Sequence, residues 1–181
     1  MSKKEKKTNR SRFCPSTTKA DVEKAIRKAS STSQGIDSYF LENHLCRYSN
    51  FLGCFAQDEL CNLYIKSFPV FIIVNFDFSY SKGTHWIAIR IDNKHLEIWD
   101  PLGFNTVRWP SFPFLLLDFI HKYSQKREIL LCDEIQPYNS TLCGFYCMFF
   151  IIYRSCNTFL NCKNYFSALD NNDLILTNFF K

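Results

Sequence analysis

The feature that most constrains this chain is a run of ten apolar residues, Gly144 to Tyr153, which directly follows Cys143. A transmembrane helix needs about 20 such residues, so the run is too short to cross a bilayer. A helix that is hydrophobic on every side is stable only inside a protein. We therefore predict a central buried helix over residues 144–154, around which the rest of the chain folds.

Three strands are predicted before this helix. The segment from Pro69 to Phe76 is apolar at nearly every position, as in a strand that is buried on both faces. A second strand alternates over residues 85–92, and the two-residue turn Asn93-Lys94 leads into a third over residues 95–100. Helices are predicted over residues 21–29, 37–47, 112–125 and 173–179, and extended segments over 51–55 and 127–132. This order predicts the α+β class, with a mixed sheet packed against helices.

Positive charge is concentrated at the N-terminus. The 181-residue chain has a net charge of +5; residues 1–30 hold ten basic and three acidic residues, whereas the other 151 hold 12 and 14. The sequence predicts a basic, flexible arm over residues 1–35 and a globular domain over residues 36–181. A basic arm favours nucleic acid or a nuclear import receptor as its partner, and the alternative is a solvated tail. Because Met1 is followed by lysines, no signal peptide is expected.

The nine cysteines give no sign of a metal site or a disulfide framework. Their number is odd and no C-x-x-C pair occurs, at positions 14, 46, 54, 61, 132, 143, 147, 156 and 162. These spacings argue against a disulfide framework and a closed zinc site. Most of the thiols are expected to be small buried hydrophobic groups.

Four residues fit one chemical mechanism. Cys143 precedes the apolar helix, whose N-terminus favours negative charge on the sulfur. His85 and Asp100 stand at adjacent ends of the predicted hairpin, so the carboxylate can orient the imidazole. Gln136, seven residues before Cys143, can supply an amide N–H to an oxyanion hole together with the backbone N–H of Cys143. The set predicts attack of Cys143 on a carbonyl carbon through a thioester.

Each of these residues also has a plainer interpretation. His85 can be an ordinary strand histidine, and Asp100 can belong to the turn at the following proline. Cys143 can be a core thiol, and Gln136 a loop residue. The residues alone leave this choice open, and the segments around them carry further information.

Three segments together resemble the adenovirus protease (adenain) family of cysteine endopeptidases, which is related to the SUMO-protease superfamily. They are Gly83-Thr84-His85-Trp86, Trp99-Asp100-Pro101-Leu102-Gly103, and the stretch from Gln136 to Gly144 with its Asn139-Ser140-Thr141-Leu142-Cys143-Gly144 ending. Phe51-Leu52-Gly53 is also similar to a segment of that family. The resemblance covers roughly residues 37–156.

The resemblance implies a papain-like fold, permuted in sequence because His and Asp precede Cys. It implies a triad of Cys143, His85 and Asp100, with Gln136 in the oxyanion hole. Adenain has Glu where this chain has Asp100, and SUMO-type relatives have Asp; either carboxylate can orient a histidine. Trp86 matches a tryptophan that covers a narrow substrate tunnel in SUMO-type relatives, and such a tunnel admits small residues such as Gly.

The implied activity is cleavage of viral capsid or core precursor proteins after Gly-type residues during virion maturation. The origin would be a virus or a virus-like transposon, and the host nucleus and the virion would be its locations. The chemistry itself requires no cofactor or metal, while the family resemblance implies viral DNA, an activating peptide or both as activators. The basic arm fits DNA. For the peptide the cysteine register does not match, because Cys132 lies only four residues before Gln136.

Two alternatives stay open. The same residues can serve an isopeptidase that removes SUMO or ubiquitin-like modifiers, although the chain is small for that task. The chain can also be a catalytically dead scaffold that binds nucleic acid. In each case a monomer without membrane contact is expected.

Overall fold

The protein is built around a five-stranded mixed sheet. The computed structural model describes residues 18–32, 34–104, 112–166 and 169–181. The strands are β1 (Phe51–Ala56), β2 (Val70–Asn75), β3 (Trp86–Ile91), β4 (His95–Trp99) and β5 (Glu128–Leu131), and they lie side by side in chain order. β1 pairs with β2 and β4 with β5 in parallel, whereas β2–β3 and β3–β4 are antiparallel.

Six α-helices surround the sheet in the described part of the chain. They are α1 (Lys19–Thr32), α2 (Ser38–Leu45), α3 (Phe114–Ser124), α4 (Cys143–Arg154), α5 (Phe159–Lys163) and α6 (Asn172–Phe179), with 3₁₀ turns at Gln57–Asn62 and Leu169–Asn171. This architecture confirms the predicted α+β class with a mixed sheet packed against helices. Among the described residues, none of the helices combines the length and the apolar character that crossing a bilayer requires.

The predicted central helix is α4. Every residue from Cys143 to Ile151 is buried, and the helix packs against β3. Its aromatic side chains interlock with the sheet, since the Phe150 ring stacks on the Trp99 indole with centroids 4.8 Å apart. The helix begins at Cys143 itself, one residue before the predicted start.

The two faces of the sheet carry separate cores. All six residues of β2 are buried, as its continuous apolar pattern predicted. In β3 the alternation separates the faces: Ile87, Ile89 and Ile91 join the core beneath α3, while Ala88 joins the core around α4. Both faces are therefore covered, and the sheet is fixed between α3 and α4.

An ion pair ties the C-terminal end of α4 to the sheet. Glu97 of β4 is fully buried and accepts two hydrogen bonds from the Arg154 guanidinium, at 2.9 and 2.8 Å. Arg90 of β3 donates a third at 2.8 Å. A buried carboxylate needs such partners, because desolvation disfavours its charge. The pair holds the helix that begins at Cys143 against β4, the strand that Asp100 directly follows.

The N-terminal region differs in part from the expected flexible arm. The helix predicted over residues 21–29 is α1, and its start is capped by reciprocal hydrogen bonds between Thr18 and Asp21. Val22, Ile26 and Ala29 of α1 are buried in the core around α4, so this helix packs on the domain. Residues 1–17 lie outside the described residues, and the boundary between residues 35 and 36 stays a prediction.

Replacing Arg154 by Met should destabilise the protein by about 3 kcal/mol, because it leaves the charge of Glu97 with Arg90 as its remaining guanidinium partner. Urea unfolding would measure the loss. Lys163→Met is the matched control, because its partner Asp133 is 77% exposed and such a pair is worth less than about 1 kcal/mol. Equal losses in the two variants would refute the role of the buried pair.

Candidate active site

A tight turn and an aromatic ring fix the position of His85. The residue lies directly before β3, and its backbone carbonyl accepts a hydrogen bond from the Phe76 N–H. The ring packs edge-on against the Phe76 ring, with centroids 5.0 Å apart. In the preceding turn Gly83 has φ +85°, and a Cβ there would lie 2.7 Å from the Asn75 amide nitrogen. Glycine is thus required where this turn approaches the end of β2.

Asp100 holds the His85 ring from behind. It directly follows β4, and its Oδ1 lies 2.7 Å from His85 Nε2. The same oxygen accepts the Leu102 N–H at 3.0 Å, which fixes the carboxylate. Both side chains of the pair are almost fully buried, with 3% and 0% of their surface exposed. The expected proximity of the two strand ends is therefore present, and the catalytic role of the pair stays a prediction.

Cys143 lies on the other side of the imidazole. It is the first residue of α4 and is 7% exposed at the floor of the cleft. Its thiol hydrogen-bonds with the His85 side chain. Because Nε2 is engaged by Asp100, Nδ1 is the ring nitrogen left for the sulfur. The first N–H groups of a helix have no intrahelical acceptor, so the Cys143 N–H can serve an external anion.

These contacts favour the charged form of His85. Burial disfavours the imidazolium, but the hydrogen bonds and negative charges of Asp100 and Cys143 outweigh it and raise the pKa of His85 to about 9. The site can therefore hold an imidazolium beside the sulfur near neutral pH.

Gln136 reaches the same cleft from the loop before α4. Its backbone N–H donates to the Pro101 carbonyl at 2.8 Å, and its side-chain Nε2 donates to the Ser140 carbonyl at 2.8 Å. A primary amide has two N–H groups, so one orients the side chain and the second can serve the cleft. Gln136 and Cys143 both line one cavity of about 820 Å³. His85 also lines this cavity, whereas Asp100 lies behind His85 and is fully buried.

Trp86 and Ile36 form a narrow wall over the start of α4. The indole Nε1 donates to the Ile36 carbonyl at 2.9 Å. A Cβ on Gly144 would lie 2.7 Å from Ile36 Cγ1 and 3.4 Å from Trp86 Cδ1. The sequence indicated Trp86 but missed Ile36, because the two residues are 50 positions apart and no local pattern joins them.

Burial favours the protonated form of four other cysteine thiols. Burial raises the pKa of the Cys54, Cys132 and Cys147 thiols well above its ordinary value, and raises that of Cys162 to about 12. Such thiols are poor nucleophiles, since the thiolate is the reactive form. Cys46 offers no free thiol, because it is disulfide-bonded.

One group of side chains in the described part of the chain has the composition of a metal site. Asp92, His95 and Glu97 bring their ligand atoms within 4.8 Å of one another. Arg90 already pairs with both carboxylates, at 2.6 and 2.8 Å. A cation would have to displace this guanidinium, so the group is explained by ion pairing.

Comparisons with known proteins give a likeness of fold. No protein-family model matches the chain, and no curated protein matches it. Among solved structures, the selenomethionine form of the ASFV pS273R protease is similar over 83% of this chain and 69% of its own, with 15% sequence identity and a TM-score of 0.46. At that score the likeness does not bear on the chemistry of the site.

The raised pKa of His85 predicts a pH dependence of stability. A folded pKa of about 9 against 6.5 for the free side chain means that this contribution is complete below pH 6.5 and is lost between about pH 6.5 and 9. Asp100→Asn should lower the pKa, because burial remains while the carboxylate charge is lost. NMR titration of the His85 ring protons would measure the pKa in the wild-type protein and in Asp100→Asn.

The buried thiols also destabilise the fold above about pH 8.5, because they ionise more readily in the unfolded chain. The pH dependence of the unfolding free energy must therefore be compared between wild type and Asp100→Asn. An identical pH slope in both proteins would contradict the assignment.

The narrow wall predicts that Gly144→Ala destabilises the protein by about 1–3 kcal/mol, as overpacking does. The new methyl group would overlap Ile36, so adding Ile36→Ala should restore part of the loss. Unfolding free energies of the two single variants and the double variant would measure the coupling. Strictly additive losses would show that the two residues do not compete for this space.

Proposed function

We propose that this protein is a cysteine peptidase in which Cys143 is the nucleophile and His85 the general acid and base. One observation carries the proposal: the buried His85 ring lies between the Asp100 carboxylate and the Cys143 thiol, and both His85 and Cys143 line a cavity. This arrangement matches the roles of nucleophile, base and orienting group.

In the first half of the reaction the Cys143 sulfur attacks the carbonyl carbon of the scissile peptide bond. Its proton has passed to His85, and Asp100 stabilises the imidazolium. The tetrahedral intermediate collapses, the C–N bond breaks, and the imidazolium gives its proton to the leaving amine. A thioester joins the acyl half of the substrate to Cys143.

In the second half water attacks the thioester while His85 accepts a proton from it. The C–S bond breaks, a carboxylic acid leaves, and the sulfur returns to its starting state. In both halves negative charge develops on the carbonyl oxygen. The Cys143 backbone N–H and the second N–H of the Gln136 amide would stabilise that charge.

The match of Trp86 to the tunnel tryptophan of SUMO-type relatives supports small residues at the scissile bond. Trp86 and Ile36 are joined by a hydrogen bond, and both line the cavity that Cys143 also lines. We propose cleavage after Gly-type residues, hence endopeptidase activity on extended segments. A tunnel covered by Trp86, as the resemblance implies, would admit only such small residues.

We further propose a viral substrate and a DNA partner for this peptidase. The resemblance of the motifs supports precursor proteins of a viral capsid or core as substrates, cleaved during virion maturation in the host nucleus or the virion. Four basic residues of α1 are exposed, namely Lys19, Lys24, Arg27 and Lys28. They support DNA as a partner and activator, since phosphate contacts need clustered cations.

Labelling with a peptide vinyl sulfone that ends in Gly-Gly tests the proposal. We expect selective modification of Cys143, located by mass spectrometry, and no labelling of the exposed Cys61 or Cys156. A probe that ends in Leu-Leu should react far more slowly. Added DNA should accelerate labelling, and the acceleration should weaken as salt increases.

Cys143→Ala should abolish turnover of a Gly-Gly peptide substrate and leave the unfolding transition in place. Cys156→Ala is the matched control and should keep full activity, because that thiol is exposed outside the cleft. Turnover that survives Cys143→Ala would exclude the mechanism. DNA binding without labelling or turnover would favour a catalytically dead scaffold.

A further inference from the structure

We propose that Asp173, at the start of α6, is a positioning residue that holds the oxyanion-stabilising amide of Gln136 through Ser140. The inference rests on the proposed function and concerns residues outside the Cys–His–Asp set. It joins the C-terminal helix to the loop that precedes the nucleophile.

Asp173 binds two hydroxyl groups from different elements. Its Oδ1 accepts from Ser140 Oγ at 3.0 Å and from the Tyr146 hydroxyl at 2.8 Å. Tyr146 lies one turn after Cys143 on α4 and is fully buried. A single carboxylate oxygen therefore ties the loop to the first turn of the nucleophile helix.

Ser140 transmits this restraint in two directions. Its carbonyl accepts the Gln136 Nε2–H at 2.8 Å, which fixes the plane of the amide. Its Oγ accepts the N–H of Leu142 at 3.2 Å, directly before Cys143. A shift of Ser140 would thus move both proposed oxyanion donors, the Gln136 amide and the Cys143 N–H.

A neighbouring residue fixes the other end of the loop. Asn172 is buried, and its Nδ2 donates to the Ile135 carbonyl at 2.8 Å. Consecutive residues of α6, Asn172 and Asp173, therefore bind the residue before Gln136 and the residue four positions after it. The loop is clamped at both ends by the first turn of a single helix.

The charge of Asp173 is matched to its donors. Burial raises the pKa of Tyr146, and the negative charge and hydrogen bond of Asp173 raise it further. The hydroxyl therefore keeps its proton and remains a donor. Hydrogen bonds to an ionised acceptor are stronger than neutral ones, so the carboxylate restrains Ser140 more firmly than an amide would.

The effect on the reaction should be specific. An oxyanion donor acts on the charge that forms in the transition state, and small displacements of such a group are costly. Alkylation of Cys143 by iodoacetamide forms no oxyanion. A variant that only loosens Gln136 should therefore lose turnover and keep its rate of alkylation.

Steady-state kinetics and alkylation of variants of the 181-residue chain test whether Asp173 and Ser140 hold Gln136 in place, an arrangement that we call the clamp. For Asp173→Ala we expect kcat to fall roughly 10- to 100-fold with KM changed less than about twofold, a loss below the 10²–10³ expected for Gln136→Ala. Asp173→Asn should recover part of it, because its amide oxygen can still accept from Ser140. The iodoacetamide rate at Cys143 should stay unchanged in all of these variants.

Asp170→Ala is the matched control, because it removes an exposed carboxylate three residues earlier and should leave kcat unchanged. Ser140→Ala provides a second route to the same contact if Asp173→Ala fails to fold. Since Ser140 and Asp173 act as a unit, the double variant should lose no more than the worse single variant. An unchanged kcat in Ser140→Ala and Asp173→Asn, or fully additive losses, would overturn the inference.

A second readout separates the clamp from the peptidase activity. Hydrogen exchange of the Gln136 side-chain amide, followed by NMR, should be slow in the wild-type protein and accelerate in Asp173→Ala and Ser140→Ala. Wild-type protein without turnover would refute the proposed function, and this exchange rate would still decide the clamp. Equal exchange in wild type and both variants would refute the clamp even if the enzyme is active.

Discussion

Nine consecutive residues of α4 are buried, so this helix has no face that can meet water, and the rest of the molecule is arranged to cover it. β3 packs against one side, and α1, α2 and α6 contribute to the same core. The buried ion pair of Glu97 and Arg154 closes the C-terminal end of the helix onto β4. As a result the N-terminal end, with Cys143, is fixed beside the strand ends that carry His85 and Asp100.

The site contains a buried charge that would be costly without a partner. The Asp100 carboxylate is fully buried, and its Oδ1 is bound by His85 and by the Leu102 N–H. The Asp100 carboxylate in turn raises the pKa of His85, because its negative charge stabilises the imidazolium. The loop with Gln136 is restrained in a similar way by polar groups of α6. Pre-organisation of this kind places fixed dipoles where charge develops during a reaction.

Much of this arrangement was predictable because it depends on local patterns. The alternation of β3 and the two-residue turn before β4 predicted a hairpin whose ends bring His85 and Asp100 together, and the 2.7 Å contact has that origin. The all-apolar run predicted α4 within one residue. The packing of α1 was not predicted, because its Lys-rich composition concealed the apolar spacing of Val22, Ile26 and Ala29.

By itself, the sequence determined the class of fold, the elements that carry the four candidate residues, and the position of Cys143 at a helix start. These properties follow from periodicity, turn chemistry and motif order, which act over a few residues. Only the tertiary structure decided that Ile36 closes the cleft against Trp86 and that Asp173 holds Ser140. These pairs are separated by 50 and 33 positions, and each is formed because burial of α4 draws distant segments onto its first turn.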